Sequence, residues 1–307
     1  MSQYAVTNPA TGEVVETFDG ATDQQIQEAI ADSKRAFTKW SAQPYSYRAE
    51  RLKKLADLLR TNSRELAEVS CTEMGKPLDE MLGEIEFSAD IIDYYADNGE
   101  KFASEQQIPT QGGNAVMRHL PIGPLLGIMP WNFPYYQVAR FAGPNLMLGN
   151  TIILKHAEIC PRSALSFEEL TREAGIPAGV YTNVFATHEQ ISDIIADRRI
   201  QGISLTGSER AGAAVAAQAG EQLKRVVLEL GGTDPYILLD TDDVAAAAKL
   251  AFTTRMVNTG QACNSNKRMI VMEDIYDEFV TELVKLAQEM RPTTWDDVEE
   301  GTYCPCL

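Results

Sequence analysis

The sequence predicts an α/β protein built around a parallel sheet. From Leu125 onward, short apolar runs alternate with segments of helical periodicity, and several of the runs end in glycine turns. No internal repeat or low-complexity linker interrupts this order.

The first hundred residues read as helices. Thr22 precedes DQQIQEAIADSKRAFTKW, with acidic residues early and basic residues late, as helix ends prefer. Apolar residues keep helical spacing over Tyr47–Leu59 and again over Met81–Tyr95. GGNAVMRHLPIG then alternates between glycines and predicts a strand pair. The buried strands expected next are Leu126–Met129, Thr151–Leu154, Tyr181–Phe185, Gln201–Leu205 and Arg225–Leu228. Helices are expected between them at Tyr135–Leu148, Pro161–Ala174, His188–Ala196 and Glu209–Ala219. A second α/β region begins at Tyr236–Leu239 and continues through Ala245–Val257, Lys267–Val271 and a helix over Asp277–Met290.

Composition bounds the function. A chain of 307 residues can hold two domains and bury roughly 75% of its unfolded surface. Its net charge of −17 speaks against nucleic acid or an anionic membrane surface as a partner, and an acidic substrate would need a local cation. Five cysteines (Cys71, Cys160, Cys263, Cys304 and Cys306) form no disulfide framework and fit a reducing cytoplasm. The start carries no basic segment followed by an apolar run, so no signal peptide is expected. Between His119 and Arg140 no residue is formally charged, but Pro121, Pro124, Pro130 and Pro134 favour buried strand and loop over a membrane span.

Each chemical motif has a plain reading beside a functional one. An isolated cysteine such as Cys263 is ordinarily a small buried hydrophobe. Here NTGQACNSNKR surrounds it with turn residues and with Lys267 and Arg268, and positive surroundings favour a thiolate. Glu229, in KRVVLELGG, is either a solvent-facing strand residue or a carboxylate desolvated at the mouth of a sheet, able to take a proton near neutrality. Asn132, in PWNFP, is a turn residue or a rigidly held donor to an oxyanion. SLTGSERAG runs from strand through a glycine turn to helix, as dinucleotide phosphate sites do, without the full G-x-G-x-x-G spacing. Lys155 and Glu158, in TIILKHAE, stand where a parallel strand ends, and are either solvated or part of a nucleotide site.

The order of these motifs carries more than any one of them. PWNFP, a strand ending in Lys-x-x-Glu, TGS, ELGG and GQ-x-C follow one another as in the aldehyde dehydrogenase superfamily, which this chain resembles from TNPATGEVV to about Met290. SLTGSERAG, ELGGTDP and NTGQAC look most like its succinate-semialdehyde dehydrogenase branch. The resemblance implies a Rossmann-type dinucleotide-binding domain over residues 1–108 and 124–232. A hairpin of the oligomerisation domain would occupy 109–123, and the first part of an α/β catalytic domain 233–307.

It also implies roles. Cys263 would attack an aldehyde to give a thiohemiacetal, with Asn132 and the Cys263 N–H holding the oxyanion; hydride transfer to NAD or NADP would leave a thioester. Glu229 would activate the hydrolytic water. Pro130 and Trp131 would line the cofactor cleft, and Lys155 and Glu158 would hold the adenosine ribose. Gly207 and Ser208 would face the pyrophosphate, with Thr206 and Leu230 also at the cofactor. Glu158 would repel a 2′-phosphate, which leans the expectation to NAD. Arg140 stands where the branch places the first of two arginines for the substrate carboxylate; the second position holds Val257, with Arg255 two residues before it. Family members homo-oligomerise and run longer. The resemblance therefore implies C-terminal truncation, with loss of the Glu-x-Phe segment and the last assembly strand; the alternatives to oxidation of succinate semialdehyde are an inactive family remnant or another aldehyde as substrate. The Cys304-Pro-Cys306 tail resembles no family element, and no metal site is expected from it.

Overall fold

The computed structural model describes residues 4–299 and 301–304. The chain opens with a hairpin, β1 (Tyr4–Thr7) and β2 (Val14–Phe18), which the helical reading of the first hundred residues missed. Long-range partners make these short strands: Tyr4 stacks on Phe185 at 4.5 Å and its hydroxyl donates to the Ala186 carbonyl at 2.9 Å. Four helices follow: α1 (Asp23–Trp40), α2 (Tyr45–Thr61), α3 (Ser63–Met74) and α4 (Leu78–Phe102). A capping box closes the start of α1, Thr22 with Gln25. α3 went unread because its buried face, from Leu66 to Met74, includes Ser70 and Glu73.

The expected strand pair exists, but β3 (Gln106–Ile108) precedes the glycines and pairs antiparallel with β4 (Ala115–Met117). The main sheet follows as β5 (Pro124–Ile128), α5 (Tyr136–Leu148), β6 (Thr151–Lys155), α6 (Pro161–Glu173) and β7 (Tyr181–Asn183). It continues through α7 (His188–Ala196), β8 (Gly202–Thr206), α8 (Glu209–Glu221) and β9 (Arg225–Glu229). All five strands are parallel, in the order β7-β6-β5-β8-β9.

Successive strand residues point to opposite faces, and helices cover both, so β5 and the middle of β6, Ile152 to Leu154, are apolar throughout. Leu125, Ile152 and Leu154 join one core with α2, α4, α5 and α6; Leu126, Ile153, Ile203 and Leu205 join the other with α1, α7 and α8. A smaller unit holds β10 (Asp234–Leu238), α9 (Val244–Met256), β11 (Asn266–Val271) and α10 (Glu273–Glu289). β10 and β11 are parallel, and the core there is Leu238, Val244, Ala248, Ala251 and Phe279. Among the described residues no helix is long and apolar enough to cross a membrane.

Candidate active site

Because the five strands are parallel, their carboxyl ends share one edge of the sheet. β5 neighbours both β6 and β8, so the chain reverses its direction of travel across the sheet there, which opens a crevice beyond the strand ends. Pro130, Trp131 and Asn132 follow β5; Thr206 ends β8 and Gly207 and Ser208 follow it; Glu229 ends β9 and Leu230 and Gly231 follow it. With Gln137, Gln261 and Cys263 they line one cleft of about 310 Å³. Ser208 caps α8, its hydroxyl accepting from the Ala211 N–H, so the positive end of that helix opens beside the cleft.

Cys263 is exposed, whereas Cys71, Cys160 and Cys304 are buried. The turn before it is strained: Asn258, Thr259 and Gly260 have φ of +53°, +54° and +78°. For non-glycine residues such backbone costs about 1–3 kcal/mol each, and Thr259 is β-branched besides. Hydrogen bonds hold the turn in place. The Asn258 side-chain amide donates to the Asn132 carbonyl at 2.6 Å, and Asn132 Nδ2 donates to the Gln261 carbonyl at 2.7 Å. One N–H of Asn132 is thus engaged with the cysteine segment and its second is left for a ligand. On the far side, Lys267 Nζ donates to the Cys263 carbonyl at 2.7 Å, which places the expected positive charge on that backbone.

Glu229 departs from expectation. Its side chain is 52% exposed, so the desolvation expected at the sheet mouth is absent; β9 lies at the sheet edge and exposes alternate residues. Its carboxylate lies 3.8 Å from Arg140. Arg140 lies outside the cleft proper. It lines an adjoining cavity of about 350 Å³, which shares Gln137, Thr206 and Glu229 with the cleft. The second arginine is not supplied by Arg255, whose guanidinium donates to the Gly260 carbonyl at 2.6 Å and to Ser265 at 3.3 Å. Sequence reasoning missed Gln137, which is 2% exposed with an Oε1 lacking a partner among the described residues. Its position three residues before Arg140, on the same helix face, was the available signal.

Lys155 and Glu158 also lie outside the cleft, at the end of the neighbouring strand β6, and pair at 2.6 Å. Burial pushes the Glu158 carboxyl up, but the hydrogen bond and charge of Lys155 outweigh it and hold it below the usual carboxylate range. Between them, His156 is fully buried. The Ala157 N–H donates to its Nδ1, so the proton resides on Nε2, which donates to the Pro134 carbonyl at 3.1 Å. Burial lowers its pKa to about 4, so it stays neutral.

Buried carboxylates brace the elements around the site. Glu84 accepts from the N–H groups of Tyr135 and Tyr136 at 2.9 and 3.0 Å and pairs with Lys76, itself buried with its ammonium 3.8 Å from the Phe133 ring centre. Glu73 meets the N-terminus of α6, accepting from the Arg162 and Ser163 backbones and the Ser163 hydroxyl; burial pushes its pKa up to about 7 against those bonds. Cys304 is fully buried, and burial pushes its thiol up to about 11, which leaves little reactive thiolate at neutral pH. Cys306 lies outside the described residues.

The model of the aldehyde dehydrogenase family matches residues 1–303. A succinate-semialdehyde dehydrogenase [NADP(+)] of Deinococcus radiodurans is 48% identical over 280 residues, covering 91% of this chain and 59% of the relative. The succinate semialdehyde dehydrogenase [NAD(P)+] Sad of Escherichia coli is 39% identical over 284 residues, covering 92% and 62%. Among solved structures, the succinic semialdehyde dehydrogenase of Streptococcus pyogenes in complex with NADP+ superimposes with a TM-score of 0.95 at 41% identity, covering 99% of this chain and 67% of that one. The chain therefore spans about 60% of the length of the curated relatives it matches. The order of motifs, the doubly covered parallel sheet and these matches agree: the chain belongs to the aldehyde dehydrogenase family.

Proposed function

We propose that the cleft at the carboxyl edge of the sheet oxidises an aldehyde to its carboxylic acid, with Cys263 as nucleophile, Asn132 as oxyanion donor and Glu229 as general base. One observation carries the reading: residues from four separate chain segments converge on that cleft, with Cys263 exposed in it. The residues present fit a dinucleotide. Gly207 and Ser208 open the positive end of α8, Gly231 leaves open space where a side chain would stand, and Gln137 presents an unpartnered polar atom. Pro130, Trp131, Thr206 and Leu230 would hold the dinucleotide in the cleft, and Lys155 and Glu158 would take its ribose at the neighbouring strand end. When bound it supplies the hydride acceptor.

The chain's own residues do the rest. The Cys263 thiolate adds to the carbonyl carbon, and charge develops on the carbonyl oxygen. The free N–H of Asn132 and the Cys263 backbone N–H stabilise that charge. After oxidation to the thioester level, Glu229 takes a proton from the attacking water. Its exposure leaves the carboxylate in reach of solvent, with the Arg140 guanidinium 3.8 Å away.

The substrate is an aldehyde that carries a carboxylate, succinate semialdehyde by analogy with the matched relatives. Arg140 supplies a local cation in a molecule whose net charge of −17 would otherwise repel it. NAD and NADP both remain in the proposal: Glu158 disfavours a 2′-phosphate, while the matched relatives are named for NADP(+) or NAD(P)+.

Absorbance of reduced nucleotide, with succinate semialdehyde and either cofactor in parallel, tests the reading. Turnover should vanish in Cys263→Ala, and Asn132→Ala should lower kcat by about 10²–10³-fold, as loss of one oxyanion donor does. Unchanged turnover in Cys263→Ala would sink the proposal.

A further inference from the structure

Helix α4 holds the chain beside both the Asn132 loop and the Cys263 segment without lining the cleft. Glu84 accepts the N–H groups of Tyr135 and Tyr136, and so fixes the start of α5 just after the Asn132 loop. One helical turn earlier, Glu80 Oε2 accepts the Asn258 N–H at 2.7 Å. Asn258 is the first of the three left-handed residues before Cys263, and it is fully buried. Neither carboxylate lines the cleft. Both belong to one rigid helix, Glu84 is anchored by buried Lys76, and their spacing along the helix cannot change without unwinding it.

We infer that Glu80 is a positioning residue: with Glu84 it makes α4 the brace that fixes the separation between the Cys263 segment and the Asn132 loop. This rests on the proposed function only for its catalytic meaning. The mechanical statement concerns the loop itself. A strained turn relaxes unless something holds it, and the Glu80 carboxylate holds the first strained amide while Asn132 holds the Asn258 side chain. Glu80 also lines a cavity of about 370 Å³ behind the turn, together with Val257 and Thr259, so there is room for the turn to move once the bond is gone.

Hydrogen exchange of the full chain, read by mass spectrometry, tests the brace in wild type, Glu80→Ala and Glu80→Gln. Alanine removes the acceptor, and glutamine keeps a carbonyl oxygen at the same reach. In Glu80→Ala, peptides spanning 257–265 are expected to exchange at least about tenfold faster, the amount that loss of one hydrogen bond to a charged group gives. Peptides of α9 and the Tyr135 and Tyr136 amides, which Glu84 holds, should stay as in wild type. Glu80→Gln should restore wild-type exchange to within about threefold, as a weaker neutral acceptor allows. No acceleration over 257–265, acceleration spread over α9 and α4, or no rescue by glutamine would each overturn the inference. Turnover adds a second readout: kcat falls in Glu80→Ala with KM for the nucleotide unchanged, and recovers in Glu80→Gln. If wild type shows no turnover, the proposed function fails while the exchange data still decide on the brace.

Discussion

His156 shows how much a single side chain can carry without touching the chemistry. It joins the end of β6 to Pro134, in the loop that presents Asn132, and it does so as a neutral imidazole. Its folded pKa of about 4 lies below the ordinary histidine value, so between those two the unfolded chain binds more protons. Stability therefore falls as pH drops through that window, and His156 alone should remove about 2 kcal/mol between pH 7 and pH 5. Glu73, pushed up to about 7, runs the other way, because its native carboxyl keeps a proton that the unfolded chain gives up. Urea midpoints of wild type and His156→Gln at both pH values separate them. The wild type should lose about 2 kcal/mol relative to the variant, and parallel behaviour would reject the assignment.

Elements differ in how openly the sequence declares them. The central strands were legible because both of their faces are covered, which leaves runs such as Ile152, Ile153 and Leu154 with no polar interruption. β1 and β2 were not, because a four-residue strand owes its existence to Phe185 and Ala186, about 180 positions away. Of the site, Cys263, Asn132 and the Gly207 turn were readable from neighbouring residues. The exposure of Glu229 was not, since it depends on β9 being an edge strand, and nothing within KRVVLELGG says which strands flank it. Packing between elements is equally hidden. A Cβ on Gly127 would stand 2.6 Å from Phe141 and 2.8 Å from Leu154, so any side chain there would have to displace one of them. Gly127→Ala should cost about 1–3 kcal/mol by overpacking, measured as a lowered urea midpoint with unchanged slope. An unchanged midpoint would show that Phe141 can move aside.

At the scale of the whole molecule, the described residues divide unevenly. Two broad cores flank the five-stranded sheet, whereas the unit of β10, α9, β11 and α10 has five buried apolar residues at its centre. Phe279, stacked on Tyr236, is the largest of them. Phe279→Ala should cost that unit about 3–5 kcal/mol, so limited proteolysis should cut within 234–290 while the main sheet persists. Cleavage spread over the whole chain would instead mean that both units unfold together. The same unit has a further consequence for how molecules behave in company. Its sheet has two strands, and Ile237, Leu239, Ile270 and Met272 are each about half exposed or more. The net charge of −17 keeps such surfaces apart in dilute buffer, where its field reaches roughly 30 Å, but at physiological salt the reach shrinks to about 8 Å. Solutions of this protein should thus turn from repulsive to attractive as sodium chloride is added, with the second virial coefficient changing sign in light scattering; colloidal behaviour, more than folding, would then set how concentrated it can be kept.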